Sequence, residues 1–269
     1  MDYKMIVLDL DGTLTNRKKE ITPRTKDVLL EAQKQGKTVV LASGRPFQGI
    51  APLARELELE RYGGYVLSFN GGMITNCRTG EIVASALLPP EINGRVIRLA
   101  KEQQVNILTY QGDRIIAMKG KDPYVELESR VNHLEVTEPE DMEAYVTFAV
   151  PKFLMTDDGD YLVVVEPQVK AALGRNFSVY RSDPYYLEIL PRGIDKAQRL
   201  AVLLELLGMS REEIIACGDG YNDLTMIQFA GLGVAMENAV LPVRNAADFI
   251  TRSNDEDGVA LAVEKFMLS

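Results

Sequence analysis

The sequence predicts an α/β protein in which an α+β domain is inserted into a parallel-sheet core. Three observations support this fold class. Short apolar runs alternate with helical segments at both ends of the chain, polar and glycine residues follow those runs, and the middle of the chain lacks the pattern. A strand–helix–strand order implies parallel pairing with right-handed crossovers.

The first elements are marked by clear start and stop signals. An apolar run over residues 4–8 predicts a strand that ends at Asp9. A helix is predicted to begin after Thr22, which can cap it, with Pro23 in its first turn. Gly36 is typical of the residue that ends such a helix. The same half contains predicted strands over 37–42 and 65–69 and a predicted helix over about 46–60.

The end of the chain repeats this alternation. The predicted elements are helices over about 194–207, 220–230 and 255–267 and strands over 214–217 and 232–236. Because the alternation is the same as at the start of the chain, both ends are predicted to contribute to one sheet.

The middle of the chain forms a separate predicted domain. Pro89-Pro90 and Pro191 mark its two ends, so the core is predicted over 1–84 and 191–269 and the insert over 85–190. About a hundred residues is enough for an independent domain. Its predicted helices cover 91–104, 122–131, 139–147 and 167–174, and its predicted strands cover 106–109, 114–118, 161–165 and 186–190.

Composition and charge argue against several classes of function. The 269-residue chain has a net charge of -9, which disfavours a nucleic-acid partner because the phosphate backbone requires a basic surface. The chain has no apolar run of about 18 residues, so no membrane partner is predicted. The absence of a signal-peptide pattern and the wide spacing of Cys77 and Cys217 predict a cytoplasmic protein with reduced thiols. The sequence specifies no oligomeric state.

Two aspartates follow the first predicted strand. Asp9 and Asp11 are two residues apart, a spacing that places side chains on the same face of a strand. Carboxylates held close together repel each other unless a cation or a shared proton intervenes. Gly12 permits the sharp exit of the backbone from the strand. This pattern predicts a chemical role for both carboxylates.

A second pair, Asp219 and Asp223, follows the strand predicted at 214–217. A helix that begins near Gly220 places residues four apart on one side. Ligands bind at the carboxyl ends of parallel strands, where both pairs are predicted to lie. Oxygen ligands without His or Cys favour Mg²⁺ over zinc or copper. The alternative, that these aspartates only cap helices, explains either pair alone better than it explains both.

Further polar residues occupy comparable positions. Ser43 and Gly44 close the second strand, where a hydroxyl and glycine amides can bind an anion, although Ser-Gly is also an ordinary turn. Lys196 lies in the first turn of a predicted helix, where a cation opposes the helix dipole. It either reaches carboxylates and phosphate or is solvated. Asn222 could donate or accept a hydrogen bond beside a metal. His133, the only histidine, lies in the insert, so no Ser-His-Asp triad is expected.

In their order along the chain, these residues resemble the four motifs of the haloacid dehalogenase superfamily. The motifs are Asp9-Leu-Asp-Gly-Thr, Ser43-Gly-Arg, Lys196 and Gly218-Asp-Gly-Tyr-Asn-Asp. The large insert between the second and third motifs is similar to that of Cof-type phosphatases, which combine a Rossmann-like core with an α+β cap. One residue departs from the family pattern, because Ala197 follows the motif lysine where glycine is common.

The resemblance implies Mg²⁺-dependent hydrolysis of small phosphate monoesters, with sugar phosphates as the expected class, through an aspartyl-phosphate. Asp9 would be the nucleophile and a metal ligand. Asp11 would be the general acid/base, with a pKa that its closeness to Asp9 could raise, and its backbone carbonyl would bind the metal. Asp219 would be a further metal ligand, and Asp223 would orient metal-bound water. The residues expected to bind the phosphoryl group are Leu10, Ser43, Gly44, Lys196 and Asn222, and those expected near the substrate are Arg45 and Asn70.

Other functions use related chemistry. A phosphotransferase or mutase could pass the phosphoryl group from the same aspartate to another sugar. A non-catalytic sugar-phosphate sensor could share the fold, but all expected catalytic residues are present. A receiver-type signalling domain would place its phospho-acceptor on a later strand, which fits Asp9 poorly. The insert is expected to close over the core and to supply substrate specificity.

Overall fold

The computed structural model describes residues 2–268, which form two compact units. The first unit contains the residues up to Ser85 and those from Asp195 onward, and the second unit is Ala86–Ile194. The boundaries expected from the sequence, 84/85 and 190/191, lie one and four residues before these positions. In the described part of the chain, no helix is long and apolar enough to cross a membrane.

The strands are named in chain order. They are β1 (Met5–Leu8), β2 (Thr38–Ala42), β3 (Tyr65–Ser68), β4 (Met73–Asn76), β5 (Ile82–Ser85), β6 (Asn106–Gln111), β7 (Arg114–Ala117), β8 (Glu135–Thr137), β9 (Phe153–Thr156), β10 (Phe177–Asp183), β11 (Tyr186–Pro191), β12 (Ile214–Gly218), β13 (Leu232–Ala235) and β14 (Phe249–Ile250).

The helices are named in the same way. They are α1 (Pro23–Lys34), α2 (Phe47–Glu56), α3 (Leu59–Tyr62), α4 (Pro90–Glu102), α5 (Pro123–Asn132), α6 (Met142–Tyr145), α7 (Gly159–Leu173), α8 (Lys196–Leu207), α9 (Leu224–Phe229), α10 (Leu241–Ala246) and α11 (Gly258–Phe266).

The first unit is built on one eight-stranded sheet with the order β14-β13-β12-β1-β2-β3-β4-β5. The strands from β14 to β3 pair in parallel, and β4 and β5 extend the edge in antiparallel hairpins. Every residue of β1 is fully buried. Since successive side chains point to opposite faces of a strand, both faces of the sheet are covered at its centre. The predicted α/β fold class is confirmed.

Local signals explain where the helices of the first unit begin and end. The Thr22 side chain caps α1 by accepting a hydrogen bond from the Thr25 backbone N–H, as the sequence predicts. Asp195 caps α8 in the same way, and Gly208, with φ of 63°, ends it. The single helix predicted over 46–60 is wrong, because Glu58 adopts a left-handed conformation with φ of 53° that separates α2 from α3.

The second unit is an α+β structure around a six-stranded sheet with the order β10-β11-β9-β6-β7-β8. Its neighbouring strands are antiparallel except for the parallel pair β7 and β8. The strand predicted at 161–165 is wrong, because these residues belong to α7. In that helix Leu162, Val165 and Val169 are buried, whereas Val163 and Val164 are exposed. This helical spacing and the Asp158 cap outweigh the β propensity of the valines.

Candidate active site

Two adjacent strands bring the ends of the chain together. β1 pairs in parallel with β12, and Leu8 lies opposite Cys217. Asp9 follows β1 and donates its backbone N–H to the Cys217 carbonyl at 3.1 Å. Asp219 follows β12, so both aspartates leave the same edge of the sheet. This is the carboxyl edge, at which parallel α/β sheets bind ligands.

Three carboxylates converge at this edge. Asp9, Asp219 and Asp223 each offer an oxygen, and these oxygens lie within 4.8 Å of one another. Two glycines leave room for them. A Cβ added to Gly12, whose φ is 91°, would lie 2.3 Å from Asp219 Oδ2, and one added to Gly218 would lie 2.5 Å from the Asp223 Cβ. The close approach therefore depends on glycine at both positions.

Lys196 is the cation of this cluster. Its Nζ donates hydrogen bonds to Asp9 Oδ1 and Asp223 Oδ1, both at 2.6 Å, and its side chain is buried. Burial alone lowers the pKa of an ammonium group, but the Asp223 and Asp9 carboxylates outweigh it and raise the pKa of Lys196. The lysine is therefore charged. A cation in the first turn of α8 is unfavourable because of the helix dipole, and the ion pairs with Asp9 and Asp223 offset this effect.

The remaining hydrogen bonds distinguish the three carboxylates. Asp223 uses Oδ1 for Lys196 and Oδ2 for the backbone N–H groups of Asp219 and Gly220, each at 2.9 Å. Asp9 uses Oδ1 for Lys196, and Asp219 uses Oδ1 for the Thr13 hydroxyl at 2.7 Å. No donor among the described residues forms a hydrogen bond with Oδ2 of Asp9 or of Asp219. These two oxygens suit a metal, whereas Asp223 is positioned to orient the loop.

An all-oxygen donor set of this charge fits Mg²⁺. Burial, with the Asp223 carboxylate as the next contribution, raises the pKa of Asp9 against the effect of Lys196. Burial is also the main cause that raises the pKa of Asp219 to about 6, although the Thr13 hydrogen bond opposes it. The pKa values of both carboxylates are raised although Lys196 lowers them, so the positive charge of one ammonium group does not balance the buried negative charge. A divalent cation would supply the missing positive charge.

Asp11 lies apart from the cluster and has its own cations. Arg45 donates two hydrogen bonds to its carboxylate, and Lys19 Nζ donates another at 2.7 Å. Burial raises the pKa of Asp11, but Arg45 and Lys19 together outweigh it and lower the pKa below its ordinary value. The expectation of a pKa raised by Asp9 is therefore wrong for the structure described. The physical reason is that Asp11 pairs with two cations of its own, whereas Asp9 pairs with Lys196.

The residues expected to bind phosphate lie beside the cluster. Ser43 is buried, and its hydroxyl accepts a hydrogen bond from the Arg45 backbone N–H at 3.2 Å. The Asn70 amide lies against Gly44, 3.2 Å from the position of an added Cβ. Asn222 donates to Asn70 Oδ1 at 3.3 Å. Hydrogen bonds and close contacts thus connect the second and fourth motifs through Asn70.

Leu10 is buried, and its carbonyl accepts hydrogen bonds from Thr15, so only its backbone N–H can contact a phosphate. Sequence reasoning missed three residues that hold the site. Thr13 is part of the first motif, whereas Lys19 and Asn238 lie outside every motif; the Asn238 amide donates to the Gly12 carbonyl at 2.8 Å. The loop position of Lys19 and Asn238 offered no signal in the sequence.

Comparison with known proteins identifies the family of this chain. A family model of haloacid dehalogenase-like hydrolases matches residues 6–263. The chain belongs to this family. The resemblance drawn from the four motifs is confirmed, and so is the prediction that the protein is an enzyme of the phosphatase type.

Solved structures and curated relatives cover nearly the whole chain. A haloacid dehalogenase-like hydrolase from Bacteroides thetaiotaomicron is 50% identical, with a TM-score of 0.94 over 98% of this chain and 99% of that one. TM0651 from Thermotoga maritima is 29% identical, with a TM-score of 0.86 over 98% and 97%. The 5-amino-6-(5-phospho-D-ribitylamino)uracil phosphatase YcsE of Bacillus subtilis is 31% identical over 100% of this chain and 97% of its own.

Proposed function

We propose that this phosphatase hydrolyses small phosphate monoesters in the cytoplasm through an aspartyl-phosphate on Asp9 and that it requires Mg²⁺. The observation that carries the proposal is the convergence of Asp9, Asp219 and Asp223 around the buried Lys196. The available oxygens of Asp9 and Asp219, with the Asp11 backbone carbonyl, would hold the ion. When bound, Mg²⁺ supplies charge that offsets repulsion between an anionic nucleophile and an anionic phosphate.

The residues of the chain account for both chemical steps. Asp9 Oδ attacks phosphorus in line, a new bond forms between them, and the bond to the leaving oxygen breaks. Asp11 gives a proton to that leaving oxygen and later removes one from the water that releases inorganic phosphate from Asp9. Lys196 stabilises the charge on the transferring oxygens. The Leu10 N–H, Ser43, Gly44 and Asn222 bind the phosphoryl group, with Arg45 and Asn70 close to the substrate.

The substrate class follows from chemistry and similarity. YcsE, by its name, acts on a phosphate ester of a ribityl compound, and a phosphorylated sugar offers the same alkyl phosphate ester to Asp9. We therefore assign sugar phosphates and related small metabolites as substrates. The inserted unit, Ala86–Ile194, determines which ester is accepted.

A phosphate-release assay tests the proposal. The full chain is incubated with a panel of sugar phosphates and other phosphorylated metabolites, with Mg²⁺ or with a chelator. We expect release only with Mg²⁺, and none from Asp9→Asn, whose fold is checked by circular dichroism. Asp27→Asn, on the exposed side of α1, is the matched control and should keep full activity. Equal release with the chelator, or substantial activity of Asp9→Asn, would overturn the proposal.

A phosphoenzyme measurement isolates the covalent step. Labelled phosphate should remain on acid-precipitated wild-type protein, should be released by hydroxylamine and should be absent from Asp9→Asn. Recovery of the label on a second sugar instead of as free phosphate would identify a phosphotransferase.

A further inference from the structure

The turn between β3 and β4 has an unusual backbone. Phe69, Asn70 and Gly71 are consecutive residues with φ of 54°, 55° and 94°. Residues other than glycine rarely adopt this left-handed conformation. Two of them in succession persist only where surrounding contacts hold the backbone. The turn is therefore a segment whose shape depends on its neighbours.

One side of this turn forms hydrogen bonds with the loop after β2, residues 43–45, which contains the expected phosphate-binding residues Ser43 and Gly44. The Phe69 N–H donates to the Arg45 carbonyl at 3.0 Å, and the Asn70 N–H donates to the Ser43 carbonyl at 2.8 Å. The Asn70 side chain lies against Gly44 and accepts a hydrogen bond from Asn222. A change in the turn would consequently move Asn70 within the site.

The other side of the turn is held by Arg199 of α8. Its Nε donates to the Gly71 carbonyl at 2.9 Å. Its aliphatic stem covers the glycine so closely that an added Cβ on Gly71 would lie 2.4 Å from the Arg199 Cγ. Arg199 is one helical turn after Lys196, so the same helix contacts both the carboxylate cluster and the turn.

The guanidinium of Arg199 is partly buried, but few polar groups contact it. Its Nη2 is buried and has no hydrogen-bond partner among the described residues, and no carboxylate of those residues contributes to the charge state of Arg199. Burial lowers the pKa of Arg199, which reports the cost of desolvating its charge. An apolar side chain of similar length would fill the space without this cost. The hydrogen bond to Gly71 is the specific contact that such a side chain would lose.

We propose that Arg199 is a positioning residue that fixes the 69–71 turn through the Gly71 carbonyl and so holds Asn70 in the phosphate-binding site. The inference rests on the proposed function, since it requires a phosphate ester to bind at the carboxylate cluster, close to Asn70. Arg199 itself makes no contact with substrate in this scheme. Its loss should weaken phosphate binding more than it slows the chemical step.

Two substitutions of equal length separate the hydrogen bond from packing and charge. Arg199→Gln places an amide Nε2 donor where arginine has Nε, whereas Arg199→Met places a methyl group there. Both remove the charge. We expect Arg199→Met to raise KM for p-nitrophenyl phosphate and the inhibition constant of inorganic phosphate about five- to tenfold, the effect of one hydrogen bond. Arg199→Gln should stay within about twofold of the wild type on both measures.

Controls distinguish a positioning role from a structural one. Arg24→Met removes an arginine that pairs with Glu264 on the surface and should leave KM unchanged. Melting temperatures of Arg199→Met and Arg199→Gln are measured to show that both variants are folded at the assay temperature. Equal KM for the two variants, or no change in either, would overturn the inference. Arg199→Leu, which also lacks a donor, replaces the methionine variant if that protein does not fold.

An Asn70→Ala background tests the route. If Arg199 acts through Asn70, Arg199→Met should add less than about twofold to the KM of Asn70→Ala. If Arg199→Met raises KM as much in the Asn70→Ala background as in the wild type, Arg199 acts by another route and the inference is overturned. If the wild type neither hydrolyses p-nitrophenyl phosphate nor binds inorganic phosphate, the proposed function fails and the inference with it. A fully active wild type with unaffected variants contradicts the inference alone.

Discussion

The Arg45 guanidinium donates two hydrogen bonds to Asp11, from Nε to Oδ2 at 2.9 Å and from Nη2 to Oδ1 at 2.6 Å. A paired contact of this kind fixes the plane of a carboxylate. In the proposed reaction Asp11 must point its proton at the leaving oxygen, so the contacts with Arg45 would set the direction of that transfer. The same contacts lower the pKa of Asp11 and favour its ionised form.

Asp11→Asn should separate substrates by their leaving groups. An alkyl leaving group requires a proton, so its turnover should fall by about 10²–10⁴-fold. p-Nitrophenolate leaves without much protonation, and its release should fall far less. Turnover of a hexose phosphate and of p-nitrophenyl phosphate is measured for the same preparation. Equal losses on both substrates would contradict the acid/base role of Asp11.

Gly12→Ala should abolish activity, because its new Cβ would collide with Asp219 Oδ2. Gly36→Ala is a matched control, since its φ of 84° is also left-handed but nothing lies within 4 Å of the added Cβ. The left-handed backbone should cost each variant about 1 kcal/mol of unfolding free energy. Urea unfolding and phosphate release are measured together. Loss of activity in Gly36→Ala, or full activity in Gly12→Ala, would contradict the steric argument.

Mg²⁺ should stabilise the protein more strongly at alkaline than at acid pH. The pKa of Asp219 is about 6 in the folded chain, above its unfolded value of about 4. The folded state therefore binds the proton more tightly, and this stability is complete below the unfolded pKa and is lost as pH rises through about 6. Above that pH the ionised cluster repels itself, and Mg²⁺ offsets the repulsion.

Melting temperatures with and without Mg²⁺ measure this effect. The increase caused by Mg²⁺ should be larger at about pH 8 than at about pH 5. In Asp219→Asn the increase should shrink at the higher pH, because one ligand carboxylate is gone. An increase independent of pH, or undiminished in Asp219→Asn, would indicate that the ion binds elsewhere.

The second unit contains a buried ion pair whose separation should be costly. Lys152 Nζ lies 3.0 Å from Glu188 Oε1, and the two side chains are 4% and 5% exposed. Lys152→Met leaves a buried carboxylate without its cation and should cost about 3–5 kcal/mol of unfolding free energy. The double variant with Glu188→Leu should recover much of that loss. Lys170→Met, which breaks an exposed pair with Glu166, should cost about 0–1 kcal/mol. Urea unfolding that shows equal losses for both lysines would contradict the prediction.

The core was predictable for two reasons: local residues mark the ends of its helices, and all parallel strands of a sheet end at the same edge. Thr22 caps the helix that follows it, and parallel strands end at a common edge, so Asp9 and Asp219 had to meet once β1 and β12 were adjacent. The strand predicted at 161–165 is wrong because the buried Leu162 and Val165 have helical spacing, although the valines of this segment favour strands. Capping by Asp158 was the local signal that favoured α7.

The partners of the site residues could not be read from the sequence. Arg45 reaches Asp11 from 34 positions away, and Lys19, eight positions away in the same loop, reaches it only because of the way that loop folds. The same applies to Arg199, whose contact with Gly71 spans 128 positions of the chain. Nothing in the order of residues specifies side-chain pairing over such distances. The predicted rise in the pKa of Asp11 was wrong for this reason.

The central position of β1 constrains the protein during its synthesis. β1 is translated first, but its partner β12 emerges from the ribosome only after residue 214. Until then β1 has an unpaired apolar edge, which favours association with other chains. Asp9 also lacks Asp219 and Asp223 during this period. A chain that stops before β12 lacks two of the three clustered carboxylates and leaves the apolar edge of β1 unpaired, so we expect it to be inactive and prone to association.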